Sequence, residues 1–200
     1  MGQSARAMVA RGNAPDAVPS LAIFPTNLGW FGLLGVEERL VWMQIGHASA
    51  DEVRRAARSY LSEGAVAPPP REHDWNPDLR QRLERYALGE RIDFDDIRLA
   101  LPEGTEFQRS VLKAVRRIPY GKTMSYGTLA TKAGYPRAAR AVGSVMSSNR
   151  FPIIIPCHRV VASTHLGGYS GGDGLDTKRW LLALEAPAQP LLQPIAPAAA

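Results

Sequence analysis

Between residues 21 and 46 the chain reads LAIFPTNLGWFGLLGVEERLVWMQIG, with apolar stretches interrupted at Asn27-Leu28-Gly29 and at Gly35-Val36-Glu37-Glu38. Turn residues between apolar runs of strand length predict three strands in a small antiparallel meander. The period then changes. SADEVRRAARSYLS, residues 49 to 62, places Val53, Ala56, Ala57 and Tyr60 at helical spacing behind a Ser49 cap. The proline-rich GAVAPPPREHDWNP that follows predicts a surface connection. A second helix is predicted over 77 to 88, with Leu79, Leu83 and Tyr86 on its apolar face, and then a short extended piece from Ile97 to Leu101.

The second half has mostly helical periodicity. From Thr105 an apolar stripe runs through Phe107, Val111, Leu112 and Val115, and it stops at IPYGK, where Pro119 and Gly121 break it. In TMSYGTLATKAGYPRAARAVGSVMSSN, residues 123 to 149, Ser125 caps a helix from Tyr126 to Ala133. Gly134 supplies a left-handed stop and Pro136 starts a second helix. That is the outline of a helix-turn-helix, but by outline alone it fits an ordinary helical hairpin in a core better. The second helix is built of small residues, with Ala139, Val142, Gly143 and Met146 on one inward face. Such a slim helix can approach a groove closely. Arg140 projects from it with no acidic neighbour at helical spacing, either as a solvated arginine or as a side chain aimed at DNA. Arg116, Arg117, Lys122, Lys132 and Arg137 lie near in sequence and suit phosphates.

These elements predict an α+β fold: an N-terminal α/β domain with a small three-stranded antiparallel sheet, then a mostly helical C-terminal domain with a helix-turn-helix and the cysteine. The expected divisions are a flexible leader at 1–18, a support domain at 19–101, a domain carrying the helix-turn-helix and the cysteine at 102–186, and a proline-rich tail at 187–200. Net charge is +5 over 200 residues, which suits a polyanion partner without requiring one. No apolar run approaches the roughly 20 residues of a membrane span, and no export signal is recognisable, so a cytoplasmic location is expected. The single cysteine excludes an internal disulfide and any site built on several cysteines, so no metal site of that kind is expected.

That cysteine sits in FPIIIPCHRVV, residues 151 to 161, which reads as a buried strand interrupted by Pro156. A lone thiol is often an inert core residue. Here it is followed by His158 and Arg159, which are costly beside a buried strand unless paired, and whose positive charge would favour a thiolate. Neighbouring side chains of an extended segment point to opposite faces. Cys157 and His158 therefore meet only if the chain turns, or through a bridging water.

IPCHRV, preceded by ARAVG and SSN and followed by GYSGG and KRWLLALE, resembles the O6-alkylguanine-DNA alkyltransferases, the methylated-DNA–protein-cysteine methyltransferases. The resemblance is dense from Glu103 to Glu185 and includes FQRSVLKAVRRIPYGKTMSYGTLA; the first half matches only in outline. It implies irreversible, single-turnover transfer of an alkyl group from O6-alkylguanine in double-stranded DNA to Cys157, after base flipping from the minor groove. O4-alkylthymine is a second candidate substrate. No cofactor is implied. A monomer is expected, and cooperative binding along DNA stays open.

By the same resemblance, Arg140 is the finger that fills the gap in the duplex, with Ala139 and Gly143 beside it on the DNA-binding helix. Tyr126 helps rotate the nucleotide and donates to the guanine. His158 deprotonates Cys157 through a water, oriented by Glu185, and Asn149 braces the turn into the active-site strand. Met146, Pro152, Val160, Tyr169 and Ser170 line the guanine pocket. Three features depart from the pattern: Asp173-Gly174 resembles a small insertion after the glycines, Arg150-Phe151 follows Asn149 where a proline is common, and the proline-rich tail has no counterpart. Two other readings compete. One is a protein that binds alkylated guanine without repairing it, disfavoured because Cys157 is kept. The other is a thiol hydrolase, which leaves the helix-turn-helix unexplained.

Overall fold

The computed structural model describes residues 18–62, 69–101 and 103–186. The leader and tail expected at 1–18 and 187–200 lie outside these residues, Val18 excepted.

The predicted meander is present as β1 (Ser20–Thr26), β2 (Gly29–Val36) and β3 (Arg39–His47), paired antiparallel with Ile23 opposite Gly32 and Leu33 opposite Met43. The sheet has four strands, not three. β4 (Arg71–Glu72) pairs parallel to β1, giving the order β3-β2-β1-β4. It comes from the stretch expected to be a plain surface connection. Just beyond the prolines the backbone regains its N–H groups: Arg71 N donates to Pro19 O at 2.8 Å and His73 N to Leu21 O at 3.1 Å.

Both faces of the sheet are covered. α1 (Ala50–Ser62) packs Ala57 and Leu61 with Leu21, Leu34, Val36, Val41 and Trp42. Its first turn is capped by Ser49, whose Oγ accepts from Glu52 N at 3.3 Å. On the other face Phe24, Phe31, Leu33, Leu40 and Met43 meet Leu79, Leu83 and Tyr86 of α2 (Pro77–Ala87). The same core continues through Val111 and Val115 of α3 (Glu106–Arg116), Leu129 of α4 (Tyr126–Lys132), Val142 of α5 (Ala139–Ser147) and Leu181 of α6 (Leu175–Leu184). Residues 19–101 and 103–186 thus share one apolar interior.

The sheet edge is closed by the segment around Arg98 to Ala100 and by Arg150. Leu40 N donates to Arg98 O at 2.9 Å, Ala100 N to Leu40 O at 2.8 Å, and Met43 N to Arg150 O at 2.9 Å. The extended piece predicted at Ile97 to Leu101 reduces to one parallel bridge, Leu40 to Leu99.

Two local expectations change. The second helix of the helix-turn-helix starts at Ala139, not at Pro136, because Arg137 takes a φ of 74° that no right-handed helix accommodates. The isoleucine run is a buried turn, not a strand. Pro152 and Pro156 cannot donate to a ladder, and Ile153 has a φ of 71°. Ile155 N instead bonds locally to Phe151 O at 2.8 Å. The residues after it form a short 3₁₀ turn, Cys157–Arg159, and then β6 (Val160–Val161), which pairs parallel with β5 (Met124–Ser125) just ahead of α4. Among the described residues no helix is long and apolar enough to cross a membrane.

Candidate functional site

The chain is not extended at Cys157 but forms a 3₁₀ turn, and the two side chains still serve different surroundings, Cys157 lining a cavity that His158 does not line. Cys157, 7% exposed, lines a cavity of about 950 Å³ with Tyr126, Ala139, Arg140, Gly143 and Met146. Gly127, Ser147, Ala162, Ser163, His165 and the loop Gly167 to Ser170 complete its wall. α5 therefore forms one side of the cavity, and the exposed Arg140 stands on that helix. Pro152 and Val160, expected in the pocket, are buried and are not among its lining residues. They lie behind it, because Pro152 belongs to the buried turn and Val160 to the β5–β6 pairing.

On the other side of the turn His158 is fully buried, and its Nε2 lies 2.9 Å from Glu185 Oε1. Glu185, at the end of α6 and 2% exposed, is the acceptor of a dense set of bonds. Oε1 also accepts from Tyr86 Oη at 2.6 Å and Arg159 Nη2 at 2.8 Å, while Oε2 accepts from Arg159 Nε at 2.8 Å and Gly121 N at 3.1 Å. Burial alone would raise this carboxyl. The bonds from His158, Arg159 and Tyr86 overcome it and hold the group well below the ordinary carboxylate range. An ionised Glu185 accepts only, so Nε2 of His158 carries the proton. Nδ1 of His158, buried with no hydrogen-bond partner, is then the basic atom of the ring. Burial lowers the pKa of His158 against the pull of Glu185, which keeps the imidazole neutral and able to accept a proton.

The thiol has its own partners. Asn149 Nδ2 donates to Cys157 Sγ at 3.1 Å and to Ile155 O at 2.8 Å, and its Oδ1 accepts from Phe151 N at 3.1 Å. Burial pushes the thiol up, and the Asn149 amide and the Lys178 charge pull it part of the way back. Lys178 on α6 is fully buried, with Nζ donating to Val160 O at 2.7 Å and Gly168 O at 3.1 Å, and it lies 6.0 Å from the Tyr126 ring centroid. Tyr126 Oη donates to Gly168 O at 3.5 Å. Tyr169 Oη is buried beside the thiol, and its pKa is raised first by burial and then by Cys157. Ser170 is tied to α5 by a bond from its Oγ to Ser147 O at 3.2 Å.

The match to known proteins extends over both halves. A family model described as 6-O-methylguanine DNA methyltransferase, DNA binding domain, matches residues 106–187. A methylated-DNA–protein-cysteine methyltransferase of Methanosarcina acetivorans is 51% identical over 109 residues, which are 54% of this chain and 67% of that protein. The crystal structure of Mycobacterium tuberculosis O6-methylguanine methyltransferase superposes with a TM-score of 0.68 at 32% identity, covering 86% of this chain and 97% of that one.

The chain belongs to the methylated-DNA–protein-cysteine methyltransferase family. A second family structure, Mycobacterium tuberculosis OGT in complex with DNA, aligns with a TM-score of 0.65 at 34% identity over 83% of this chain and 92% of that one.

Sequence reasoning missed three members of the site. Lys178 carried a readable signal, being a charge on the inward stripe that α6 forms with Thr177, Leu181 and Glu185. Arg159 was seen only as a neighbouring charge, and Tyr86 only as a core aromatic. Their bonds to Glu185 join residues 26 and 99 positions apart, which no local pattern encodes.

Proposed function

We propose that this protein, as a member of the family, reverses alkylation damage directly by moving the alkyl group of O6-alkylguanine in duplex DNA onto Cys157. The observation that carries this reading is the placement of Cys157 on the wall of a cavity beside α5 that is large enough to admit a purine base, with the His158–Glu185 pair buried behind it.

The reaction is a displacement at an sp³ carbon, for which a soft, strong thiolate is suited. His158 Nδ1 takes the thiol proton through a water, and Glu185 holds the ring in the required tautomer. Sulfur forms a bond to the alkyl carbon as the carbon–O6 bond breaks, and the guanine leaves with the electron pair and gains a proton. The Tyr126 hydroxyl and a backbone N–H near Ser170 stabilise the charge developing on the base. Asn149 holds the sulfur in line. Met146, Tyr169 and Ser170 form the walls of the pocket.

Arg140 enters the base stack as the nucleotide leaves it, and the small Ala139 and Gly143 let α5 seat in the minor groove. The product is a thioether that water does not readily cleave. With one cysteine in the chain there is no second thiol to relieve it, so each molecule acts once. Residues 19–101 serve as the support domain and 102–186 as the DNA-binding and acceptor domain. The protein acts as a monomer in the compartment that holds the DNA, and O4-alkylthymine is a further candidate substrate.

The test is incubation with duplex DNA containing O6-methylguanine, followed by intact-mass measurement and peptide mapping. A gain of one methyl group on Cys157 is expected. Tight binding with no mass change would overturn the proposal in favour of damage recognition alone. Multiple turnover on an ester or amide would favour a thiol hydrolase.

A further inference from the structure

The segment that joins α5 to the thiol turn is held from outside its own domain. β3 is the edge strand of the sheet, and its Met43 N donates to Arg150 O at 2.9 Å. The side chain of Arg150 makes a second attachment. Its Cζ lies 5.3 Å from the centroid of the Tyr60 ring, and its Nη1 donates to Tyr60 Oη at 3.3 Å. Tyr60 is itself fixed on the sheet. Its ring stacks on Trp42, with centroids 5.8 Å apart and planes 24° apart, and its hydroxyl donates to Val41 O at 3.3 Å. On either side of Arg150 the chain is committed: Asn149 touches the Cys157 sulfur, and Phe151 is buried in the shared core.

We infer that Arg150 is a positioning residue through which the sheet domain holds Asn149 against the sulfur of Cys157. The inference deepens the proposed alkyl transfer and rests on it for the role of the thiol. Its physical basis is leverage. Asn149 spans the thiol and Ile155 O with one amide nitrogen, at 3.1 Å and 2.8 Å, so a small rotation of the 149–151 backbone carries that nitrogen away from the sulfur. A guanidinium stacked on an aromatic face is a restraint of defined geometry, which a freely hydrated surface side chain does not provide. The first domain thereby contributes to the reactivity of the thiol as well as to the stability of the fold.

The other groups that face the thiol are Lys178, Tyr126 and Tyr169, with His158 next in the chain. Lys178 is bonded to Val160 O and Gly168 O, Tyr126 to Gly168 O and His158 to Glu185, and the bonds and ring contacts of Arg150 and Tyr60 reach none of these nor Tyr169. A change in thiol behaviour on altering Arg150 or Tyr60 therefore reports on Asn149.

The experiment uses the full chain, whose only thiol is Cys157. The rate of alkylation by iodoacetamide is measured against pH for the unaltered protein, Arg150→Ala, Arg150→Lys, Tyr60→Ala and Tyr60→Phe, each checked for folding by thermal unfolding. The same series is repeated in an Asn149→Ala background. Arg150→Ala and Tyr60→Ala are expected to move the midpoint of the profile upward by about half a pH unit, which lowers the rate at neutral pH about threefold. Arg150→Lys and Tyr60→Phe keep part of the stack and fall between. In the Asn149→Ala background the Arg150→Ala shift should disappear, because coupled residues are not additive.

Superimposable profiles for the unaltered protein and Arg150→Ala would overturn the inference. So would a shift that persists undiminished without Asn149. The iodoacetamide readout needs no DNA, so failure of methyl transfer from O6-methylguanine would count against the proposed function and leave this result to stand or fall by itself.

Discussion

Glu185 Oε1 lies 2.9 Å from His158 Nε2, and both residues are almost completely removed from solvent. The same carboxylate neutralises Arg159 and accepts from Tyr86, so it links the end of α6 to the thiol turn and to α2. Glu185→Gln removes the charge that fixes the His158 tautomer and leaves Arg159 buried without its counter-ion. We expect a loss of about 3 kcal/mol of stability and about a hundredfold slower methyl transfer. Urea unfolding and single-turnover kinetics on O6-methylguanine DNA measure the two effects. Unchanged kinetics in a folded variant would remove Glu185 from the mechanism.

The acid limb of stability follows from the same residue. The folded pKa of Glu185 is depressed far below its ordinary 4.5. A depressed carboxylate contributes stability that is fully present above the ordinary value and is lost as pH falls toward the folded one. Unfolding free energy of the unaltered chain should therefore drop steadily below about pH 4.5, and the drop should be shallower in Glu185→Gln. Parallel curves for the two proteins would contradict the assignment.

Lys178 predicts an alkaline effect of the same sign. Burial pushes its pKa down to about 8 from an ordinary 10.5. Between these values the unfolded chain binds a proton that the folded chain does not, so this group makes stability rise with pH through that window. In Lys178→Met this contribution disappears. Denaturant titrations of both proteins from pH 7.5 to 10.5 should give a difference that changes across the window; a constant difference would show that the buried amine does not titrate there.

Arg140 is exposed among the residues that line the cavity and makes no hydrogen bond or ion pair with Cys157, His158, Glu185 or Tyr126. Arg140→Ala should slow transfer from duplex DNA by about 10- to 100-fold, the equivalent of a few kcal/mol of base-flipping cost left uncompensated. Its reaction with free O6-benzylguanine should stay within about twofold of the unaltered rate, since no base stack is opened in that reaction. Equal slowing on both substrates would argue against a role inside the duplex.

Gly167 backs the Tyr126 ring so closely that a Cβ built on it would lie 2.7 Å from Cε2 and 2.9 Å from the hydroxyl oxygen. Its φ of +72° also disfavours any side chain. Gly167→Ala should cost about 1 kcal/mol of stability and slow transfer about tenfold or more by displacing the hydroxyl. Kinetics on the free base and on DNA should show the same slowing; an unchanged rate would mean that Tyr126 does not act on the base.

Local chemistry written into the sequence determined much of this protein. The meander turns at Asn27 and Glu37, the Ser49 and Ser125 caps, the Gly134 stop and the order of Arg140, Asn149, Cys157 and His158 all act over a few residues, where backbone preference and short side-chain bonds decide the outcome. Tertiary structure alone decided the rest. The isoleucine run, apolar enough for a strand, became a turn because no ladder partner was available to a segment flanked by Pro152 and Pro156. Arg71-Glu72 became a strand because β1 offered a free edge. The carboxylate of Glu185 gathered Tyr86, Gly121, His158 and Arg159 because a buried charge must collect donors from wherever the packed chain brings them, however far apart they lie in sequence.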